Sequence, residues 1–133
     1  MVLVKAKVKL KGLRTGYSTD NVLVDSGARM TLIERQLAEH IGVEHTGRRV
    51  NFVSISGHEI KALEAIVLEM DIEGEVLRYE AVAVANIPNT VKDILRKNKL
   101  DEYIIIGILT LERANMIPNT TTGRLEKVES FII

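Results

Sequence analysis

The run Leu23-Val24-Asp25-Ser26-Gly27-Ala28 delivers one carboxylate to a Ser-Gly turn at the end of an apolar stretch, the arrangement that carboxylate-driven hydrolysis needs. Leu23 and Val24 read as the end of a buried strand, and Gly27 permits a sharp backbone turn that would display Asp25 rather than pack it. Asp-Ser-Gly is equally ordinary turn chemistry, because Asp and Ser bond nearby backbone amides and Gly takes positive φ. Hydrolysis by carboxylates also needs two of them around one water, one ionised to take its proton and one protonated to polarise the substrate carbonyl. The chain holds a single Asp-Ser-Gly. Asp20 precedes Asp25 by roughly 16 Å of extended strand, and the odd spacing sends the two side chains to opposite faces. The economical source of a second carboxylate is a second copy of the chain, in a symmetric homodimer to which each subunit contributes Asp25. Two carboxylates in contact do not both ionise readily, so the pair would share one proton.

The elements that must position this turn are mostly strands. From Lys5 to Lys11, lysines alternate with Ala6, Val8 and Leu10, a strand with one solvated and one apolar face. Gly12 to Asn21 is rich in turn formers and links it to a short strand, Val22-Leu23-Val24. After the Asp25 turn, Leu32, Ile33, Leu37, Ala38 and Ile41 recur at helical spacing, and Gly42 stands at a C-cap position, so a helix is expected over about Glu34 to Ile41. Two apolar segments, Val50 to Ile55 and Ile60 to Met70, flank Ser56-Gly57-His58-Glu59 as a hairpin with a mobile tip. Val76 to Ala85 alternates as a further strand. Thr90 with Asp93 three positions on suggests a capping-box helix running to about Asn98. Tyr103 to Ile106 is a short apolar run ending at Gly107, Leu109 to Ala114 looks helical before Pro118, and Gly123 to Ile133 returns to strand-like composition.

Length and charge bound the possibilities. At 133 residues the chain fits one domain, residues 1–133, and would bury roughly two-thirds of its unfolded surface. With 18 basic and 18 acidic residues it offers no strong field for nucleic acid or an anionic membrane. The absence of cysteine excludes disulfides and thiolate catalysis. The N-terminus is too broken by lysine for a signal-peptide core and no later apolar run is long enough to span a bilayer, so a cytoplasmic location is expected.

Two distant segments, Leu23 to Ala28 and Ile104-Ile105-Ile106-Gly107-Ile108-Leu109, lie about eighty residues apart. With Val53-Ser54-Ile55-Ser56-Gly57-His58 between them, they resemble the retropepsin-like aspartic proteases. That family pairs an apolar-apolar-Asp-Ser/Thr-Gly-Ala turn with a later apolar-apolar-Gly segment and places a flap hairpin between them. The likeness is greatest to the DNA-damage-inducible cellular retropepsins, whose turn runs on much as Asp25 to Leu32 does and then enters a similar helix. The resemblance implies a mostly β, closed-barrel fold with one or two short helices, acting as a homodimer. It implies a catalytic Asp25 in the turn Ser26, Gly27 and Ala28, with Ser26 bonding across the dimer axis and Gly27 letting water and substrate approach. It further implies a substrate-binding flap at Ile55, Ser56, Gly57 and His58, and a second motif at Ile105, Ile106 and Gly107. This chain departs from the pattern at Leu109, where the family commonly has Asp or Asn, and at Arg29, where retroviral members often have an acidic residue. The segment Asn89 to Leu100 looks like an insertion.

Other constellations are poorer. His40 and His45 do not share a helix face at ligand spacing, and His58 falls on the hairpin tip, so no metal or other cofactor is expected. There is no P-loop, dinucleotide fingerprint or nucleophile elbow. The expected partners are a second copy of the chain and a peptide or protein substrate, with neither nucleic acid nor membrane. The expected function is aspartic endopeptidase, a hydrolase acting through paired Asp25. Because Ala28 lacks a hydroxyl to bond the ionised pair, activity is expected at weakly acidic to neutral pH. The alternative is a module of the same fold that binds or dimerises without proteolysis. The C-terminal strand, ending in Phe131-Ile132-Ile133, is expected to pair across the dimer rather than close the barrel within one subunit.

Overall fold

The computed structural model describes residues 2–53, 57 and 59–128. Nine strands and three short helices follow one another among them. They are β1 Lys5–Lys11, β2 Gly16–Val24, β3 Leu32–Glu34, α1 Arg35–Ile41, β4 Glu44–Val53, β5 Glu59–Ile72, β6 Glu75–Ala85, α2 Asn89–Lys97, β7 Ile104–Ile106, α3 Ile108–Ala114, β8 Met116–Asn119 and β9 Arg124–Lys127. The strand order β1-β2-β7-β3-β6-β5 closes on itself because β5 also pairs with β1, giving a six-stranded barrel. β4 is added outside the closure as the hairpin partner of β5, and β8 and β9 form a separate hairpin. No helix among the described residues is long and apolar enough to cross a membrane.

The alternation of β1 is realised in full: its lysines are exposed while Ala6, Val8 and Leu10 are buried. In the β1–β5 register Lys9 faces Asp71 and Lys11 faces Glu69, so the lysine row meets opposite charge across the ladder. β2 begins at Gly16, well before the expected Val22. Its turn-forming residues Gly16, Ser18 and Thr19 are held extended by pairing with Lys11, Lys9 and Val8, a tertiary contact that overrides local preference. β4 likewise begins at Glu44, with a register irregularity between His45 and Arg49. The helices number three rather than one or two. α2 starts before Thr90, since Pro88 is its N-cap and the Pro88 carbonyl accepts the amides of Val91 and Lys92. α3 is ended by Asn115 in a left-handed conformation, not by Pro118, which lies in β8.

The apolar interior divides into two clusters separated by the sheet. One holds Val22, Val24, Ile33, Val67, Ile104 and Ile106 inside the barrel. The other holds Leu23, Met30, Leu32, Ile105, Val91 and Leu95 beneath α2. The Asn89 to Leu100 segment therefore closes the second cluster: Val91, Leu95 and Leu100 are buried, and each such aliphatic side chain contributes about 1.5–3 kcal/mol. The buried Glu34 anchors that segment, accepting the Ile87 amide at 2.6 Å and lying 3.7 Å from Lys92 Nζ.

A second tie joins β2 to the approach of β7. Tyr17 donates its hydroxyl to Asp101 Oδ2 at 2.5 Å, while Asp101 Oδ1 accepts the amides of Tyr103 and Ile104. Burial first, then the bond to and charge of Asp101, hold the Tyr17 hydroxyl above its ordinary pKa. The folded protein keeps a proton that the unfolded chain loses above about pH 10. That contribution to stability is complete below this pH and is lost as pH rises further. The urea midpoint should accordingly fall more steeply between about pH 9 and 11 in the parent protein than in Tyr17→Phe, measured by circular dichroism.

Candidate active site

Asp25 is the first residue beyond β2, and its position is fixed by the strand beside it. β2 and β7 run parallel, with Leu23 opposite Ile105 and Val24 opposite Ile106, and the Asp25 amide donates to the Ile106 carbonyl at 2.9 Å. β7 also pairs antiparallel with β3, Ile105 opposite Leu32. The chain thus leaves on one side of β7 and returns on the other, and residues 25–31 form the loop between. Successive side chains at the end of β2 and in β7 point into different clusters, Leu23 and Ile105 to one, Val24 and Ile106 to the other. A strand buried on both faces has little freedom to tilt, so the carboxylate sits on a rigid base.

Within the turn, the Gly27 amide donates to Asp25 Oδ1 at 2.9 Å and the Ala28 amide donates to the Asp25 carbonyl at 3.0 Å. Asp25 is half-buried, Ser26 and Gly27 are exposed and Ala28 is buried. Gly27 does not adopt the positive φ expected of it. A Cβ there would meet the Asp25 carboxylate oxygen at 3.2 Å, a contact tight enough to displace that side chain by a few tenths of an ångström. Asp25 makes no ion pair among the described residues. Asp20 is exposed and lines a separate cavity with Lys5, Lys7 and Glu73.

Gly107 is brought directly against the loop. A Cβ on it would lie 2.4 Å from both the carbonyl carbon and oxygen of Met30, so no side chain fits without moving backbone. Just beyond it, the amides of Ile108 and Leu109 donate to the carbonyls of Ala28 and Arg29 at 2.8 and 3.0 Å. The two sequence motifs therefore meet. Of the expected flap residues, Gly57 has a left-handed φ of 83°, and among the described residues nothing lies within 4 Å of where its Cβ would be. Ile55, Ser56 and His58 lie outside the described residues, as do Phe131, Ile132 and Ile133. The part of the C-terminal segment that is described, β9, pairs with β8 of its own chain.

Four residues that sequence reasoning passed over support the loop from below. The Gly107 amide donates to Thr31 Oγ1 at 3.1 Å, Thr31 and Thr110 hydroxyls are 2.7 Å apart, and Thr110 donates to Glu80 Oε2 at 2.6 Å. Since Thr110 spends its proton on Glu80, the Thr31 hydroxyl must donate to Thr110, and the bonds run in one direction towards the carboxylate. Arg113 Nη1 then neutralises Glu80 Oε1, and its other terminal nitrogen donates to the Arg78 carbonyl at 3.0 Å. Thr31, Thr110 and Glu80 are almost wholly buried, so each bond is obligatory. With Leu109 exposed on α3, the polar support comes from the next residue, Thr110. A hydroxyl residue on the inner face of a short helix was the only trace of this in the sequence.

Removing one member should be costly. Thr110→Val leaves both the Thr31 hydroxyl and Glu80 short of a partner and should lower unfolding free energy by about 2–3 kcal/mol, whereas Thr110→Ser should cost less than about 1 kcal/mol. Urea denaturation of the two variants checks the difference.

A sequence model described as aspartyl protease matches residues 6–110, from β1 into α3 and including both Asp25 and Gly107. No match was found among curated proteins. Among solved structures, the retroviral protease-like domain of Ddi1 from Leishmania major superposes with a TM-score of 0.57, covering 96% of this chain and 89% of that one at 16% identity, a likeness of fold. With the barrel, the Asp25 turn and the packed glycine in place, the chain belongs to the aspartyl protease family in its retropepsin-like form.

Proposed function

We propose that this protein is an aspartic endopeptidase that works as a homodimer in the cytoplasm. The observation behind this is the Asp25 turn: one oxygen of the carboxylate is held by the Gly27 amide, and the backbone is clamped between Ile106 and Gly107. Fixed geometry of this kind is what a general base needs, because misplacement by an ångström costs rate. One subunit supplies a single such carboxylate, so the second comes from the partner subunit's Asp25 across a two-fold axis.

In that pair one carboxylate is ionised and takes a proton from the bound water as its oxygen attacks the peptide carbonyl carbon. The other is protonated and donates to the carbonyl oxygen. The C–N bond then breaks as the first carboxyl passes the proton taken from water to the amide nitrogen and the second carboxylate takes one back from a hydroxyl of the tetrahedral intermediate, so the pair again holds a single proton. The β4–β5 hairpin carrying Gly57 would cover an extended peptide and keep bulk water out. Apolar residues are expected beside the cut, since Val50 and Phe52 line the adjacent cavity.

Asp25→Asn should reduce kcat/KM on a mixed peptide library by about 10³-fold or more while leaving the thermal melt in place. Cleavage surviving the substitution, or absent from the parent protein across a wide pH range, would overturn the proposal in favour of a non-catalytic binding module. Sedimentation should return a dimer at working concentration, and a strict monomer would leave Asp25 without its partner.

A further inference from the structure

A cavity of about 690 Å³ opens beside the turn that carries Asp25. Arg29 and Met30 form one wall, β4 contributes Arg48 to Phe52 as another, and α3 supplies Glu112 and Arg113. The apolar Val50 and Phe52 share that wall with Arg48, Arg49 and Asn51. Four arginines and three glutamates line the whole, and their pairing is unequal.

Arg48 Nη1 lies 3.0 Å from Glu64 Oε2, and Arg113 is committed to Glu80. Glu64 also accepts the Thr46 hydroxyl at 3.0 Å. Arg29 and Arg49 have no carboxylate within ion-pair distance among the described residues, and Glu112 has no cation within that distance. One net positive charge is left. Arg29 lies in the loop that carries Asp25, following directly on the buried Ala28. Its backbone is fixed, with its carbonyl bound to the Leu109 amide at 3.0 Å, while its side chain is exposed.

We infer that this cavity is a specificity subsite for an acidic side chain, Asp or Glu, on an extended peptide substrate, with Arg29 as its charged partner. The guanidinium fork matches a carboxylate in two parallel hydrogen bonds, and it gives no such match to an uncharged amide. Met30, Val50 and Phe52 provide apolar surface for the methylenes of that side chain and for its neighbours. The three glutamates in the wall disfavour a polyanion, which would place many phosphates against them, so a single carboxylate on a peptide is the fitting ligand. The inference rests on reading the Asp25 turn as the catalytic centre.

The test uses the full chain and a series of extended peptides with a reduced, uncleavable bond at the centre. A single Glu, Gln or Lys is scanned through each flanking position, and affinity is measured by calorimetry. At one position Glu should bind about fivefold more tightly than Gln at low salt, with the difference shrinking as salt is raised. Arg29→Gln should abolish that difference, and Arg29→Glu should turn the preference towards Lys. Equal affinity for Glu and Gln at every position, no binding of any peptide, or a Glu preference that survives Arg29→Gln overturns the inference. The companion amide peptides separate the two claims. Preferential Glu binding without cleavage defeats the peptidase proposal alone, whereas cleavage without Glu preference defeats this one alone.

Discussion

The parallel pairing of β2 with β7 is the constraint on which the rest of the structure depends. It sets the height at which Asp25 leaves the sheet, through the bond from its amide to Ile106, and delivers Gly107 to the loop that follows. A short parallel pair between strands so far apart in sequence is weak by itself. Here it is held by burial on both faces: Leu23 and Ile105 project into the cluster under α2, Val24 and Ile106 into the barrel interior. The closed barrel and the α2 segment can each be understood as one half of that grip.

The polar support beneath the loop follows from the same crowding. Because Gly107 lies against the Met30 backbone, its amide is buried and needs an acceptor, and Thr31 provides one. A buried hydroxyl that accepts must still place its own proton, which passes the demand to Thr110 and on to Glu80. A buried carboxylate is tolerable only with a compensating cation, and Arg113 supplies it from the rim, where it remains half-exposed. Each residue in the chain is explained by the one before it.

Much of the site was legible in sequence because it is local. The apolar run into Asp25-Ser26-Gly27, the later Ile105-Ile106-Gly107 and the alternating lysines of β1 each declare themselves within a few residues. The distant features are those that were missed or misplaced. β2 extends back through Gly16, Ser18 and Thr19 because β1 is there to pair with them. Thr31, Thr110 and Glu80 are separated by up to 79 positions, and nothing in any one of their neighbourhoods names the other two. Gly27 reads in sequence as a residue of conformational freedom, whereas its φ is not left-handed and a Cβ there would press on the Asp25 carboxylate at 3.2 Å.

β4 is the one long strand paired on a single side among the described residues, since β5 alone adjoins it. An exposed strand edge bordering a cleft invites other chains to add to it and to one another, the route to aggregation. The edge here is interrupted by a register irregularity and by Gly47 in a left-handed conformation, and Glu44, His45, Arg48 and Arg49 stud its length. A second flat sheet cannot stack its edge against such a strand without breaking register or burying those charges. The bulge and charges of β4 thus guard an accessible strand edge against the sheet-to-sheet pairing its length would otherwise invite.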